Sequence, residues 1–442
     1  MTVAAFILTY FAFMILGTTP LIFAIATAAF SVPLVFGSLY PSVDLTFIAK
    51  SFADATFANN TGITIIFFIL AGNIMARGAI TEKIFNMFAY FLGRKRGFMP
   101  ILAILTCMLY GAISGSGPAT TAAVGAMCYP VLVKMGYDRF FSAGLIVVSG
   151  CLGMVIPPSV PVTQVNTFTN GLDLIVLYKL AAVVGILCGL LMCVYCYVYC
   201  RLRGAGDQVK INNWVDQLRK EGFLNVMKES IWAILTPIII LGSIFSGIAD
   251  TAQAAAISVI YGTFVSVVVY KTLKLSDIIP IVKSSLTNSA GMLIMLAFIT
   301  VFSKTLSQLD VNTVLTNFVN STGITSITLM IIIMIYQFIM GTAGAGAAVS
   351  IVIPIVYPLM IATGLEPFTA CMACVIMHAV GLCTPPVGLC LFTMTGMAKC
   401  DVTDLVKWVF PLIAIMILVA LFLVLFPGVF SFITAGGFIP VP

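Results

Sequence analysis

Residues 111–121 read Gly111-Ala112-Ile113-Ser114-Gly115-Ser116-Gly117-Pro118-Ala119-Thr120-Thr121, in the middle of an apolar run over 99–133. One bilayer crossing takes roughly 20 residues, so this run is too long and too interrupted for one helix. Its centre carries glycines and a proline, which break a helix. Arg94, Lys95 and Arg96 precede it and Lys134 follows it. Basic flanks belong on the cytoplasmic face, which puts both ends of the run on one side. The run is therefore read as a re-entrant helical hairpin whose tip lies near the midplane. Irregular backbone at that depth is tolerated only where it is buried in protein or lines a water-filled cavity, so the tip marks a site. Close helix packing is the other use of such glycines.

The same pattern occurs twice. Residues 339–386 align with 111–158 without a gap, 228 positions on: Tyr129-Pro130 falls on Tyr357-Pro358, Gly136 on Gly364, Phe140 on Phe368, Gly153 on Gly381, and Pro157-Pro158 on Pro385-Pro386. The second copy interrupts its own long apolar run, 324–362, with Gly341-Thr342-Ala343-Gly344-Ala345-Gly346. Each copy then reaches a Pro-Pro pair that removes two backbone donors and breaks the next span, over 139–160 and 367–397. Five spans lie between the copies (139–160, 174–200, 231–247, 252–272 and 285–305), and an odd number inverts the second copy. Inverted repeats with broken helices are the mark of alternating-access transporters, with the site near the midplane.

Composition agrees. Of 442 residues 61% are hydrophobic and 8% charged, and mean hydropathy is +1.16. A soluble domain carries roughly 25% charge, so soluble enzymes, nucleic-acid binders and secreted disulfide scaffolds are excluded. Further apolar stretches run over 3–17, 19–37, 62–76 and 404–430, giving about ten crossings. The polar stretch 201–229 and the other lysine-rich loops fall on one side, which puts the N-terminus outside. The first 36 residues carry no Lys or Arg, so the leading apolar segment is read as retained rather than cleaved. Twelve cysteines lie in or beside apolar stretches without ligand spacing and read as small helix residues.

The chain divides into scaffold helices and an arm over 1–98, the first hairpin and broken helix over 99–172, and a linking helix with a cytoplasmic loop over 173–230. A second scaffold and arm over 231–323, the second hairpin and broken helix over 324–400 and a C-terminal helix over 401–442 complete it. The fold class is an all-α polytopic membrane protein with inverted repeats. Hydroxyls and freed carbonyls at the tips suit a hard cation such as Na⁺, and the helix leaving a tip presents its positive dipole end to a carboxylate. His378 lies three residues before Gly381 and matches Gly150 of the first copy; an ionisable group at membrane depth is either functional or bonded to a neighbouring carbonyl.

Several segments carry a family likeness: Ser114-Gly-Ser-Gly-Pro-Ala-Thr-Thr-Ala-Ala, Met135-Gly-Tyr-Asp138, Leu152-Gly-Met-Val-Ile-Pro-Pro-Ser159, Leu235-Thr-Pro-Ile-Ile-Ile-Leu-Gly242 and Cys383-Thr-Pro-Pro-Val-Gly-Leu-Cys-Leu-Phe392. In these the chain resembles the large membrane subunit of tripartite ATP-independent periplasmic (TRAP) transporters. The resemblance implies an elevator-type, Na⁺-driven importer of organic acids in a bacterial inner membrane, such as a C4-dicarboxylate, a sialic or other sugar acid, or a keto acid. It implies a small four-helix membrane subunit and a periplasmic substrate-binding protein as partners, and no cofactor beyond Na⁺ as coupling ion.

Residue by residue, the resemblance puts one Na⁺ at Ser114, Gly115 and Ser116 with the break from Gly153 to Ser159, Pro157 included. It puts the other at Gly341, Thr342 and Gly344 with Gly381 and Thr384, and the carboxylate near Thr120, Ser159, Thr163 and Thr384. The chain departs from the family at Ala343-Gly-Ala-Gly-Ala347, where an Asp is usual, and at Asp250-Thr-Ala-Gln253-Ala-Ala, where Thr-Pro-Thr-Glu-Ala-Ala is usual. A self-sufficient symporter without a binding protein is the alternative. A channel fits the tips but not the broken helices. An intramembrane enzyme lacks a nucleophile with a base or metal, and no Gly-x-x-x-x-Gly-Lys-Ser/Thr segment exists for ATP.

Overall fold

In the computed structural model, residues 21–35, 38, 40–58, 60–95, 97–169, 171–342 and 348–435 are described. The expected apolar stretch 3–17, Arg96 and Gly344 lie outside them. In chain order the first copy comprises α1 (Leu21–Val35), α2 (Leu45–Ala53), α3 (Asn60–Arg77), α4 (Ile80–Leu92), α5 (Phe98–Ser114), α6 (Gly117–Lys134), α7 (Arg139–Cys151), α8 (Val160–Phe168) and α9 (Leu174–Arg203). An amphipathic α10 (Gln208–Lys220) links it to α11 (Phe223–Phe245), α12 (Thr251–Phe264), α13 (Leu275–Gln308), α14 (Val311–Thr322), α15 (Ser326–Thr342), α16 (Ala348–Ala362), α17 (Pro367–Leu382), α18 (Leu389–Ala398) and α19 (Val402–Leu425).

The duplication is visible in this order. The hairpin α5–α6, the interrupted helix α7–α8 and the preceding pair α3–α4 have counterparts in α15–α16, α17–α18 and α13–α14. Among the described residues, six helices are long and apolar enough to cross a bilayer: α3, α9, α11, α12 with its π turn to Val269, α13 and α19. Of the hairpin and broken-helix segments, α5, α7 and α15 to α18 are shorter apolar helices.

Sequence explains the ends of these half-helices. Gly115 takes φ +61°, a left-handed conformation that costs a residue with a Cβ, and so stops α5. Pro118 stands in the first turn of α6, where its missing N–H removes no helical bond. Asp138 and Glu366 cap α7 and α17 by accepting the N–H groups of the residues two and three beyond them. The breaks of the two copies meet in the core, where Cys383 and Cys151 bring their Sγ atoms to 3.0 Å. Both Pro-Pro bonds are cis.

The stretch 201–229, read as polar, holds the helix α10. Its Ile211, Val215 and Leu218 are buried, Trp214 packs on Phe85 of α4 with ring centroids 6.0 Å apart, and Arg219 donates to Tyr90 O at 3.0 Å. Arg94 and Asp216 pair across the same joint. At its start the Asp207 N–H donates to Met135 O at 2.7 Å, tying α10 to the base of the first hairpin.

Asp207 caps α10 with Oδ1. The Lys210 N–H at 3.3 Å, the Val209 N–H at 3.0 Å and the Lys210 ammonium at 3.5 Å hold its carboxyl below the usual carboxylate range. A depressed folded value means the cap stabilises α10 above about pH 4, the unfolded carboxyl's range, and the stabilisation is lost as pH falls through the folded value. Asp207→Asn keeps the acceptor and removes the charge. We expect wild-type amide protection over 208–211, corrected for intrinsic exchange, to fall between pH 5 and 3, and the variant's to stay level.

Candidate substrate and cation site

The first tip gathers oxygens. Ser114 Oγ lies 2.8 Å from Thr120 Oγ1, Thr120 Oγ1 donates to Ser116 O at 2.8 Å, and Ser114 Oγ is 3.3 Å from the same carbonyl. Three oxygens thus share two hydroxyl hydrogens. Ser114 and Thr120 are almost fully buried. Only glycine allows the broken helix to come this close: a Cβ at Gly153 would stand 2.5 Å from Thr120 Oγ1 and 3.2 Å from Ser116 O. A Cβ at Gly115 would meet Pro158 O at 2.8 Å, and the Val160 N–H donates to Gly115 O at 3.2 Å. Tip and break are therefore joined backbone to backbone, with Pro157 inside the joint.

The second tip repeats the joint. The Val387 N–H donates to Thr342 O at 3.2 Å, the bond of Val160 to Gly115 shifted by one residue on each segment. Gly341 and Gly381 are in backbone contact, since a Cβ on Gly381 would lie 2.7 Å from Gly341 Cα. The Thr342 and Thr384 hydroxyls donate to Ile339 O and Val380 O, each at 2.8 Å. The first tip gathers hydroxyl and carbonyl oxygens, the ligands hard cations take, whereas the two threonine hydroxyls of the second each bond back within their own helix. Among the described residues no group of three His, Cys, Asp or Glu side chains gathers to hold a metal ion.

Of the residues expected at a carboxylate, Thr120 belongs to the oxygen cluster. Ser159 caps α8, donating to Met154 O and accepting the Val162 N–H at 3.3 Å. Thr163 bonds Ser159 O at 2.8 Å and Tyr178 Oη at 2.7 Å. A cavity of about 500 Å³ opens instead beside the first tip, between Ser116 and Pro118, Asn73 of α3 and Asn288 of α13. Leu382 and Leu389, on either side of the second break, also line it. Asn73 Nδ2 donates to Ser285 Oγ at 2.8 Å, which joins α3 to α13.

The structure adds buried polar groups that the hydroxyl-centred reading passed over. Gln164 of α8 and Gln337 of α15 are fully buried, and among the described residues their carboxamides have no hydrogen-bond partner. The same holds for both nitrogens of His378, so no carbonyl holds its ring. Its own carbonyl lies against Gly341, where a Cβ would come to 2.9 Å. A glutamine inside an apolar run was the available signal for the first two.

Paired hairpins and paired broken helices, with a cavity beside the first tip, are the architecture of a multi-pass membrane transporter. Residues 7–429 match the family model described as "Tripartite ATP-independent periplasmic transporter, DctM component", and the chain belongs to that family. It is therefore a transporter component and not an enzyme. The isethionate TRAP transporter permease protein DctMQ of Oleidesulfovibrio alaskensis is 31% identical over 95% of this chain, which spans 64% of that relative's length. The C4-dicarboxylate TRAP transporter large permease protein DctM of Vibrio cholerae is 28% identical, over 88% of this chain and 89% of its own. The crystal structure of the YdaH transporter of Alcanivorax borkumensis shares the fold, with a TM-score of 0.61 at 13% identity over 89% of this chain and 90% of that one.

Proposed function

We propose that this chain is the membrane motor of a three-part, Na⁺-driven importer of an organic acid. It works with a small four-helix membrane subunit and a periplasmic binding protein in a bacterial inner membrane, with its N-terminus periplasmic. The observation that carries the reading is the twofold joint of tip and break, Val160 to Gly115 and Val387 to Thr342. Two cations at these joints neutralise charge where a buried carboxylate would otherwise stay unpaired. Ion binding and acid binding then favour each other by the same factor, since coupling is reciprocal. The hairpins and broken helices move as one body against the helices that carry Asn73 and Asn288, an elevator movement.

The test is uptake into proteoliposomes holding this chain, the small subunit and the binding protein, with each component and the Na⁺ gradient omitted in turn. Uptake is expected to collapse on every omission. Gradient-driven uptake that persists without the binding protein would replace this reading with the self-sufficient symporter.

A further inference from the structure

The cavity at the first tip has a composition that the proposed function does not require. Among the described residues, none of its lining side chains carries a charge. Met154, Met292, Leu382 and Leu389 supply its walls, and its polar side chains are Ser116, Asn73 and Asn288. Residues 343–347 read Ala-Gly-Ala-Gly-Ala, without a charged residue. Asn73 spends one N–H on Ser285 and keeps its carbonyl and second N–H. Asn288 is exposed, makes no side-chain hydrogen bond among the described residues and lines the cavity from α13, on the same side as Asn73. A volume of about 500 Å³ lies within the range of small-molecule sites.

We propose that this cavity selects organic acids with a single carboxylate and an apolar body, and that Asn73 and Asn288 are its specificity-determining residues. The inference rests on the proposed function, whose cation at the first tip pairs with one carboxylate, while the second cation belongs to the Val387–Thr342 joint, outside this cavity's lining. A second carboxylate would lie against methionine and leucine with no cationic side chain in the lining to pair with, which is unfavourable. An apolar body in that place gains by leaving water. The two carboxamides offer neutral donors and acceptors to a carbonyl or hydroxyl next to the carboxylate, so they orient an acid without attracting a second anion.

Binding is best read on the full chain with its small subunit in nanodiscs, without the binding protein, so that the cavity alone chooses. The probes are 4-methyl-2-oxopentanoate, succinate and N-acetylneuraminate, each with and without Na⁺, alongside the thermal shift caused by Na⁺ alone. We expect the branched monocarboxylate to bind at least tenfold more tightly than succinate or the bulky sugar acid, and only with Na⁺. Asn288→Leu should weaken its binding at least tenfold while leaving the Na⁺-only shift unchanged. Asn288→Arg should raise succinate affinity by giving the second carboxylate a partner. Succinate binding as tight as the monocarboxylate in the unaltered protein, or unchanged affinities in both variants, would overturn the inference and leave Na⁺-driven acid import standing. No Na⁺ effect on stability or on any acid would remove the proposed function, and this inference with it.

Discussion

Gly381→Ala is expected to destabilise the protein by about 3 kcal/mol, at the upper end of what overpacking costs. The added Cβ would stand 2.7 Å from both Gly341 C and Gly341 Cα and 2.8 Å from Phe338 O. All three are backbone atoms of α15, so no side chain can swing away, and the helices must part. Parting them separates the second tip from its break, so Na⁺-driven uptake should be lost together with thermal stability. Gly291→Ala is the control: it lies in the interior of α13 with nothing within 4 Å of the new Cβ. It should gain up to about 1 kcal/mol from helix propensity. Thermal unfolding of the two purified variants decides, and equal melting would show that the Gly341–Gly381 contact is not a tight one.

The second large effect falls on the first tip. Ser114→Ala removes one of the three clustered oxygens and leaves Thr120 bonded to Ser116 O. The Na⁺ concentration for half-maximal uptake should rise about tenfold, equivalent to roughly 1.4 kcal/mol. Thr342→Ala should act alike at the second joint. Thr163→Val separates ion binding from packing: it gives up the bonds to Ser159 O and Tyr178, costs about 1 kcal/mol of stability, and should leave the Na⁺ dependence unchanged. Identical Na⁺ curves for Ser114→Ala, Thr342→Ala and the unaltered protein would remove the cations from these tips.

The hairpins were legible in sequence almost to the residue. The run 99–133 became α5 and α6, Phe98 through Lys134, because Gly115 and Pro118 act through local backbone geometry and their neighbours are uniformly apolar. The same reasons carried over to 324–362 and to both Pro-Pro breaks. Less was legible where the signal is amphipathic. The helix α10 buries one stripe and exposes the other, so its mean polarity reads as a polar stretch, although Ile211, Val215 and Leu218 recur at helical spacing. The cavity was least legible. Asn73 and Asn288 come from helices far apart in the chain and from the first hairpin, and nothing local in either helix announces that both face one tip. Ser159 and Thr163 show the converse. Their hydroxyls have the right chemistry, but capping and a bond to Tyr178 use them within the fold.

The most direct measurement is of coupling itself: the movement of ²²Na⁺ into proteoliposomes of the complete three-part system when acid is supplied outside at equal Na⁺ on both sides. The account predicts that ²²Na⁺ enters with the acid in a fixed ratio, and that Ser114→Ala diminishes both fluxes together. Acid uptake unaccompanied by ²²Na⁺ would contradict it.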